Sequence, residues 1–240
     1  MILPDWPAPA SVRSLMTTRA GGVSAAPWAS FNLGDHVGDD PVHVAANRAR
    51  LRRQLPAEPD WLRQVHSARV VELGRASVPV PEADAAFTRE PGRVCAVLTA
   101  DCLPVLFCDR AGSTVAAAHA GWRGLAGGVL EATVAAMQTP PADIIVWLGA
   151  AIGPQAFEVG DDVRDAFSAA DPAAAGAFVA HAAPGKWLAD IYALARIRLG
   201  RLGVTAIHGG GRCTFTESGH FYSYRRDGVT GRMASLIWRA

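Results

Sequence analysis

Residues 94–124 read VCAVLTADCLPVLFCDRAGSTVAAAHAGWRG. Three apolar runs of strand length, Val94–Thr99, Val105–Cys108 and Thr114–Ala118, follow one another with only short breaks between them. Strands that run almost directly into the next do not fit the strict strand–helix–strand period of a doubly wound parallel sheet, whose crossovers need a dozen residues or more. The pattern predicts a mixed α+β sheet architecture. Working outward, further strand-length runs lie at Ser14–Thr18, Arg69–Leu73, Ile144–Leu148 and Val204–Ile207. Helices are predicted over Pro41–Leu55, after the capping candidates Asp39-Asp40, over Leu125–Met137, ahead of Pro140-Pro141, and over Trp187–Leu202, ending at Gly203. No shift in composition marks a linker, so residues 1–240 are read as one domain.

Composition narrows the function classes. The chain has 240 residues, half of them hydrophobic and 19% charged, enough to bury a sizeable core. Its 23 Lys+Arg against 22 Asp+Glu leave a net charge of +1, which lacks the basic excess of a nucleic-acid or membrane-surface protein. The longest apolar stretch, Ile144–Phe157, is broken by Gly and Pro and is too short to span a bilayer. The N-terminal residues MILPDWPAPA do not read as a signal peptide, and four scattered cysteines make no disulfide framework. The expectation is a cytoplasmic protein, from a GC-rich and bacterial genome, since Lys186 is the single lysine.

Common catalytic motifs are missing. There is no G-x-x-x-x-G-K-[ST], no G-x-G-x-x-G after a strand, no H-E-x-x-H and no C-x-x-C. His208-Gly209-Gly210-Gly211 imitates a lipase oxyanion strip, but no G-x-S-x-G elbow accompanies it. The weight falls on sparse polar residues at the ends of apolar runs. His66 follows Trp61-Leu62-Arg63-Gln64-Val65. Cys102 closes Val97–Cys102, where the nearby Pro104 forces a bend, and His119 ends a small-residue strand before Gly121-Trp122-Arg123-Gly124 opens a helix.

Two imidazoles and a thiolate form a three-ligand set suited to Zn²⁺, with the fourth position open to water or substrate. The same residue types also serve as hydrogen-bonded core histidines and a small buried thiol, and spacing alone leaves both readings open. Asp101 beside the thiol is a candidate general base or histidine-orienting carboxylate, or else a strand-end surface group. Arg123, at a helix N-terminus, is either an anion seat or an exposed turn residue. The segment Phe221–Asp227, with Arg225, either stacks a base and holds phosphate or forms an edge strand with an Arg–Asp pair.

These residues resemble the YfiH family of laccase-domain proteins, whose members are described as polyphenol oxidases and as purine nucleoside phosphorylases. The resemblance runs from Thr17-Thr18-Arg19 through residues 34–40 and Asn47-Arg48 to the C-terminal segment. Its most specific blocks are Gln64–His66, Leu98–Val105 and His119–Gly124, supported by Ala151–Pro154, Phe157–Gly160 and Ser223–Asp227. It implies a compact α+β fold similar to the catalytic fold of cytotoxic necrotizing factor, and zinc or copper ligands at His66, Cys102 and His119. It also implies phosphorolysis of adenosine, inosine, guanosine and methylthioadenosine, and deamination of adenosine. The expected partners are nucleoside and phosphate, without nucleic acid, membrane or protein partner, the chain being a monomer or weak dimer. Phosphate contacts are expected at Arg48 or Arg225, with Asn47 and Arg123 also candidates.

Departures from the family pattern are Ser67 for the usual Gly, Ala150 for the usual Pro, and Asp35 for an apolar residue. Two other activities fit the same residues. One is a copper-dependent polyphenol oxidoreductase, although seven histidines without a His-x-His pair fall short of a multicopper set. The other is a cysteine amidase editing peptidoglycan precursors, with Cys102 as nucleophile and His66 or His119 as base.

Overall fold

The apolar runs Val94–Thr99, Leu103–Cys108 and Val115–Ala120 are strands buried on both faces of their sheets. A computed structural model describes residues 1–74 and 80–240. In chain order the first six strands are β1 (Val12–Met16), β2 (Val70–Glu72), β3 (Ala85–Thr88), β4 (Val94–Thr99), β5 (Leu103–Asp109) and β6 (Val115–Ala120). They are followed by β7 (Ile144–Leu148), β8 (Glu158–Gly160), β9 (Phe178–Ala180), β10 (Lys186–Ala189), β11 (Ala206–Gly209) and β12 (Met233–Arg239). The helices are α1 (Pro41–Arg52), α2 (Trp122–Ala126), α3 (Val129–Met137), α4 (Asp161–Ser168), α5 (Ile191–Arg201) and the single turn α6 (Tyr224–Asp227).

A six-stranded mixed sheet of order β11-β7-β5-β6-β3-β2 stacks on a three-stranded antiparallel sheet, β1-β12-β4. A small antiparallel sheet, β8-β10-β9, shares no ladder with either and packs into the same core as the six-stranded sheet through Val159, Phe178 and Ala189. Period-two alternation sends successive residues of one strand to opposite layers. Leu103, Val105 and Phe107 of β5 pack with α3 and α5 through Leu130, Val134, Leu194 and Leu199. Leu106 and Cys108 of the same strand face Cys95, Val97, Met233 and Ile237 of the smaller sheet. The outer face of that sheet, with Ala96, Leu98 and Leu236, is covered by Leu51 of α1. The layers run helix, sheet, sheet, helix. Phe107 is fully buried between the six-stranded sheet and its covering helices, and its truncation to Ala would cost about 3–5 kcal/mol.

The mixed α+β architecture is the one expected, and all three expected helices are shorter than the apolar period suggested, α1 ending at Arg52 and not at Leu55. The run Leu125–Met137 is broken at Gly127-Gly128, where Gly128 takes φ 94° and starts α3 afresh. Trp187 belongs to β10, paired with Val159 and Ala180, and helix α5 begins only after Asp190. The Asp190 carboxylate accepts from the backbone N–H groups of Tyr192 and Ala193, a side-chain cap that fixes this start. Segment 221–227 forms no edge strand; Ser223 caps the turn α6 by accepting from the Arg226 N–H, and Arg226 pairs with Asp227 at 2.7 Å. Among the described residues no helix is long and apolar enough to cross a membrane.

Candidate metal centre

Strand ends bring the site together. β4 ends at Thr99 and β5 begins at Leu103, so Cys102 lies in the tight connection between two sheets. His119 lies near the end of β6, in register with Pro104 of β5. His66 comes from the loop after Trp61, which is anchored at two points. The Gln64 amide pairs with β4, accepting from the Leu98 N–H at 2.7 Å and donating to its carbonyl at 2.8 Å. The Asp84 carboxylate accepts from the N–H groups of Val65, His66 and Ser67 at 3.2, 2.9 and 2.6 Å. Three N–H groups turned inward on one anion form a nest, and His66 adopts a left-handed φ of 61° within it. For a non-glycine residue that conformation is costly and needs such support.

Asp84 also binds the other histidine, accepting from His119 Nδ1 at 2.9 Å. This leaves the second ring nitrogen of His119 to point elsewhere, as an orienting carboxylate does for a ligand histidine. The ligand atoms of His66, Cys102 and His119 all lie within 4.8 Å of one another, with His66 Nε2 3.7 Å from Cys102 Sγ. The imidazole rings meet edge to face at 4.7 Å. Gly121 permits this crowding: a Cβ there would sit 2.6 Å from His66 Cδ2 and 2.9 Å from Cys102 Sγ. Two imidazoles held in fixed orientation and one thiol fit a divalent soft or borderline ion.

Charge is arranged to suit. Burial pushes the Asp84 carboxyl up, but the hydrogen bonds from His119 and Ser67 prevail and hold it down at about 2. Burial likewise opposes the Cys102 thiolate, yet the neighbouring His119 and His66 draw the thiol well below its ordinary range. His119 moves the other way, because the Cys102 thiolate and Asp84 outweigh the burial that disfavours its cation. Both shifts favour a thiolate beside an imidazolium in the metal-free site.

The three side chains line a cavity of about 550 Å³, with Asp101, Trp122, Arg123, Phe157, Tyr224, Arg225 and Arg232 also on its walls. Asp101 is largely buried at φ 85° and makes no hydrogen bond to either histidine. Its oxygens accept from Thr214 Oγ1, Ser223 Oγ and the Arg225 N–H at 2.6, 3.0 and 2.7 Å. Arg225 also donates to the Glu158 carbonyl, and Arg123 stacks on the Trp122 ring at 4.3 Å.

Asn47 and Arg48 do not line this cavity. Asn47 is fully buried and knots the loop of residues 23–32 through Val23, Ser24, Ser30 and Asn32. Arg48 stacks on Trp61, donates to the Leu33 carbonyl, and pairs with Asp35 at 3.3 Å. Two residues escaped the sequence reading. Asp84 carried one visible signal, an acid inside the apolar stretch Ala83–Phe87; Arg232, between Gly231 and the apolar start of β12, carried none beyond its charge.

The family model described as multi-copper polyphenol oxidoreductase laccase matches residues 13–240. The chain belongs to this family. A relative from Pseudomonas aeruginosa, named a purine nucleoside phosphorylase, is 60% identical over 99% of this chain and 97% of its own length. The purine nucleoside phosphorylase YfiH of Escherichia coli is 56% identical over 99% of this chain and 98% of its own. Among solved structures, a Neisseria meningitidis protein superposes with a TM-score of 0.95 at 56% identity, covering 99% and 98% of the two chains. YlmD from Geobacillus stearothermophilus gives 0.88 at 36% identity, over 96% and 92%.

Proposed function

We propose that this laccase-family chain is a purine nucleoside phosphorylase that holds Zn²⁺ on His66, Cys102 and His119. The observation that carries the reading is the convergence of three ligand atoms in a cavity whose walls also bear guanidinium groups. The names of relatives at 56–60% identity support it. In phosphorolysis a phosphate oxygen bonds to the sugar C1′ as the bond from C1′ to the purine nitrogen breaks. The proton lost by phosphate ends on that nitrogen, giving free base and ribose 1-phosphate. Arg225 and Arg123 bring positive charge to the phosphate, while Trp122 and Tyr224 offer aromatic faces to the base. A bound zinc ion supplies Lewis acidity to the same cavity. Such a site also suits deamination of adenosine, in which a water oxygen replaces the C6 amino group and ammonia leaves. We place the enzyme in the cytoplasm.

Phosphate-dependent release of hypoxanthine from inosine tests the reading, with Cys102→Ala as the comparison. Turnover that requires phosphate and disappears in the variant supports it; a zinc-loaded wild type without turnover overturns it. One observation favours a second reading. Asp84, His119 and Cys102 are linked as acid, imidazole and thiolate, the arrangement of a cysteine amidase. Covalent trapping of Cys102 by an amide substrate in metal-free protein, with no phosphorolysis, would select it. Copper also suits a His₂Cys set, and a thiolate-to-copper absorption band with phenol oxidation would mark that loading.

A further inference from the structure

Of the guanidinium groups on the cavity wall, Arg232 is the one most firmly built in. Its stem passes over Gly34, where a Cβ would come within 2.8 Å of Arg232 Cγ. Its backbone N–H donates to Asn32 Oδ1 at 2.8 Å, and Asn32 is itself fully buried. One terminal nitrogen donates to the Thr230 and Gly231 carbonyls, each at 3.1 Å. The remaining guanidinium donors have no protein acceptor among the described residues, and no carboxylate of those residues lies within ion-pair distance. Asp101 and Cys102 are near enough to act on its charge, yet the Asp101 oxygens are already taken by Thr214, Ser223 and Arg225.

A partly buried cation with no carboxylate paired directly to it is costly, and burial outweighs the pull of Asp101 and Cys102 to lower the Arg232 pKa. The cost is offset when an anion enters, and a fork of donors fits two phosphate oxygens at once. Arg123 and Arg225 are exposed, and each is engaged on another group. Among the described residues, Arg232 alone combines a fixed stem, partial desolvation and open donors beside the thiol. We propose that Arg232 is the principal anchor for the phosphate co-substrate in this cavity. This rests on the phosphorylase reading above and names within it a residue that had no assigned role.

Metal-loaded wild type, Arg232→Gln and Arg232→Lys are compared by calorimetric titration with inorganic phosphate and by steady-state kinetics on inosine. Loss of one bidentate charged contact raises both the phosphate Kd and the phosphate KM on the order of 10–100-fold in Arg232→Gln. The inosine KM stays within about twofold, and Arg232→Lys recovers part of the loss because charge returns without the fork. Arg164→Gln, a distant surface substitution, controls for net charge. An unchanged phosphate Kd in Arg232→Gln overturns the proposal, as does a uniform fall in kcat with both KM values kept and a lowered Tm. If wild type binds phosphate but cleaves no nucleoside, the phosphorylase reading falls while the calorimetric comparison still decides the role of Arg232. If wild type binds no phosphate at all, both fall.

Discussion

At Asp84 one fully buried carboxylate accepts from three consecutive backbone N–H groups, from Ser67 Oγ at 2.8 Å and from His119 Nδ1. It therefore sets the His66 loop and the His119 ring with the same two oxygens. Asp84→Asn replaces one oxygen by an amine that faces donors, so at least one N–H of the nest loses its acceptor. Metal affinity should fall about 10–100-fold, as removal of a ligand-orienting carboxylate does elsewhere, measured by competition with a chromophoric chelator. Ser67→Gly keeps the backbone donor and loses only the hydroxyl, so its affinity should stay within about threefold. The depressed carboxyl also has a pH signature. Its folded-state value of about 2 lies below the ordinary 3.8, so its stabilisation is present at neutral pH and disappears as pH falls through that window. Metal-free wild type should lose about 2 kcal/mol between pH 4 and 2 by denaturant titration. Asp84→Asn should lack that limb.

At the scale of elements, two glycines at helix starts have different reasons to be there. Gly128 begins α3 at φ 94°, and a Cβ there would find nothing nearer than 3.7 Å. Its requirement is conformational, and Gly128→Ala should cost about 1–2 kcal/mol with metal binding intact. Gly121 caps α2 at φ −62°, a conformation open to any residue, but its Cβ would collide with His66 and Cys102. Gly121→Ala should therefore lower metal content sharply while Tm of the metal-free protein changes less. Thermal denaturation with and without chelator, beside zinc analysis, separates the two cases. The elements also show what periodicity carries. Runs buried on both faces, Val94–Thr99 and Ile144–Leu148, were legible to the residue because nothing polar interrupts them. The strand at Trp187 was absorbed into a helix because apolar spacing is ambiguous over four residues and the decisive signal, the Asp190 cap, is local chemistry. β12, central to the β1-β12-β4 sheet, went unread because Ser235 interrupts its apolar residues.

Across the whole molecule, the three ligands were legible because each is a polar residue stranded at the end of an apolar run, where strands from distant sequence positions meet. Which cations would share their cavity was not, since an arginine's partners are set by packing: Arg48 is held by Asp35 and Trp61, and Arg232 is left open. The C-terminal segment reaches that cavity through Asp101, whose oxygens hold Thr214, Ser223 and the Arg225 N–H across more than a hundred residues of sequence. Asp101→Ala leaves two hydroxyls and an N–H without their acceptor, costing ~3 kcal/mol. For a chain of this length that corresponds to a Tm lower by about 6–12 °C. Asp101→Asn should fall between, because Asn tolerates φ 85° and keeps one acceptor oxygen. The loss should also be local. Limited proteolysis of Asp101→Ala should cut first within residues 214–232, and β5, β6 and β7 should resist as in wild type. Cleavage spread evenly through the chain would mean that Asp101 supports the core generally and does not tie the C-terminal segment to the cavity.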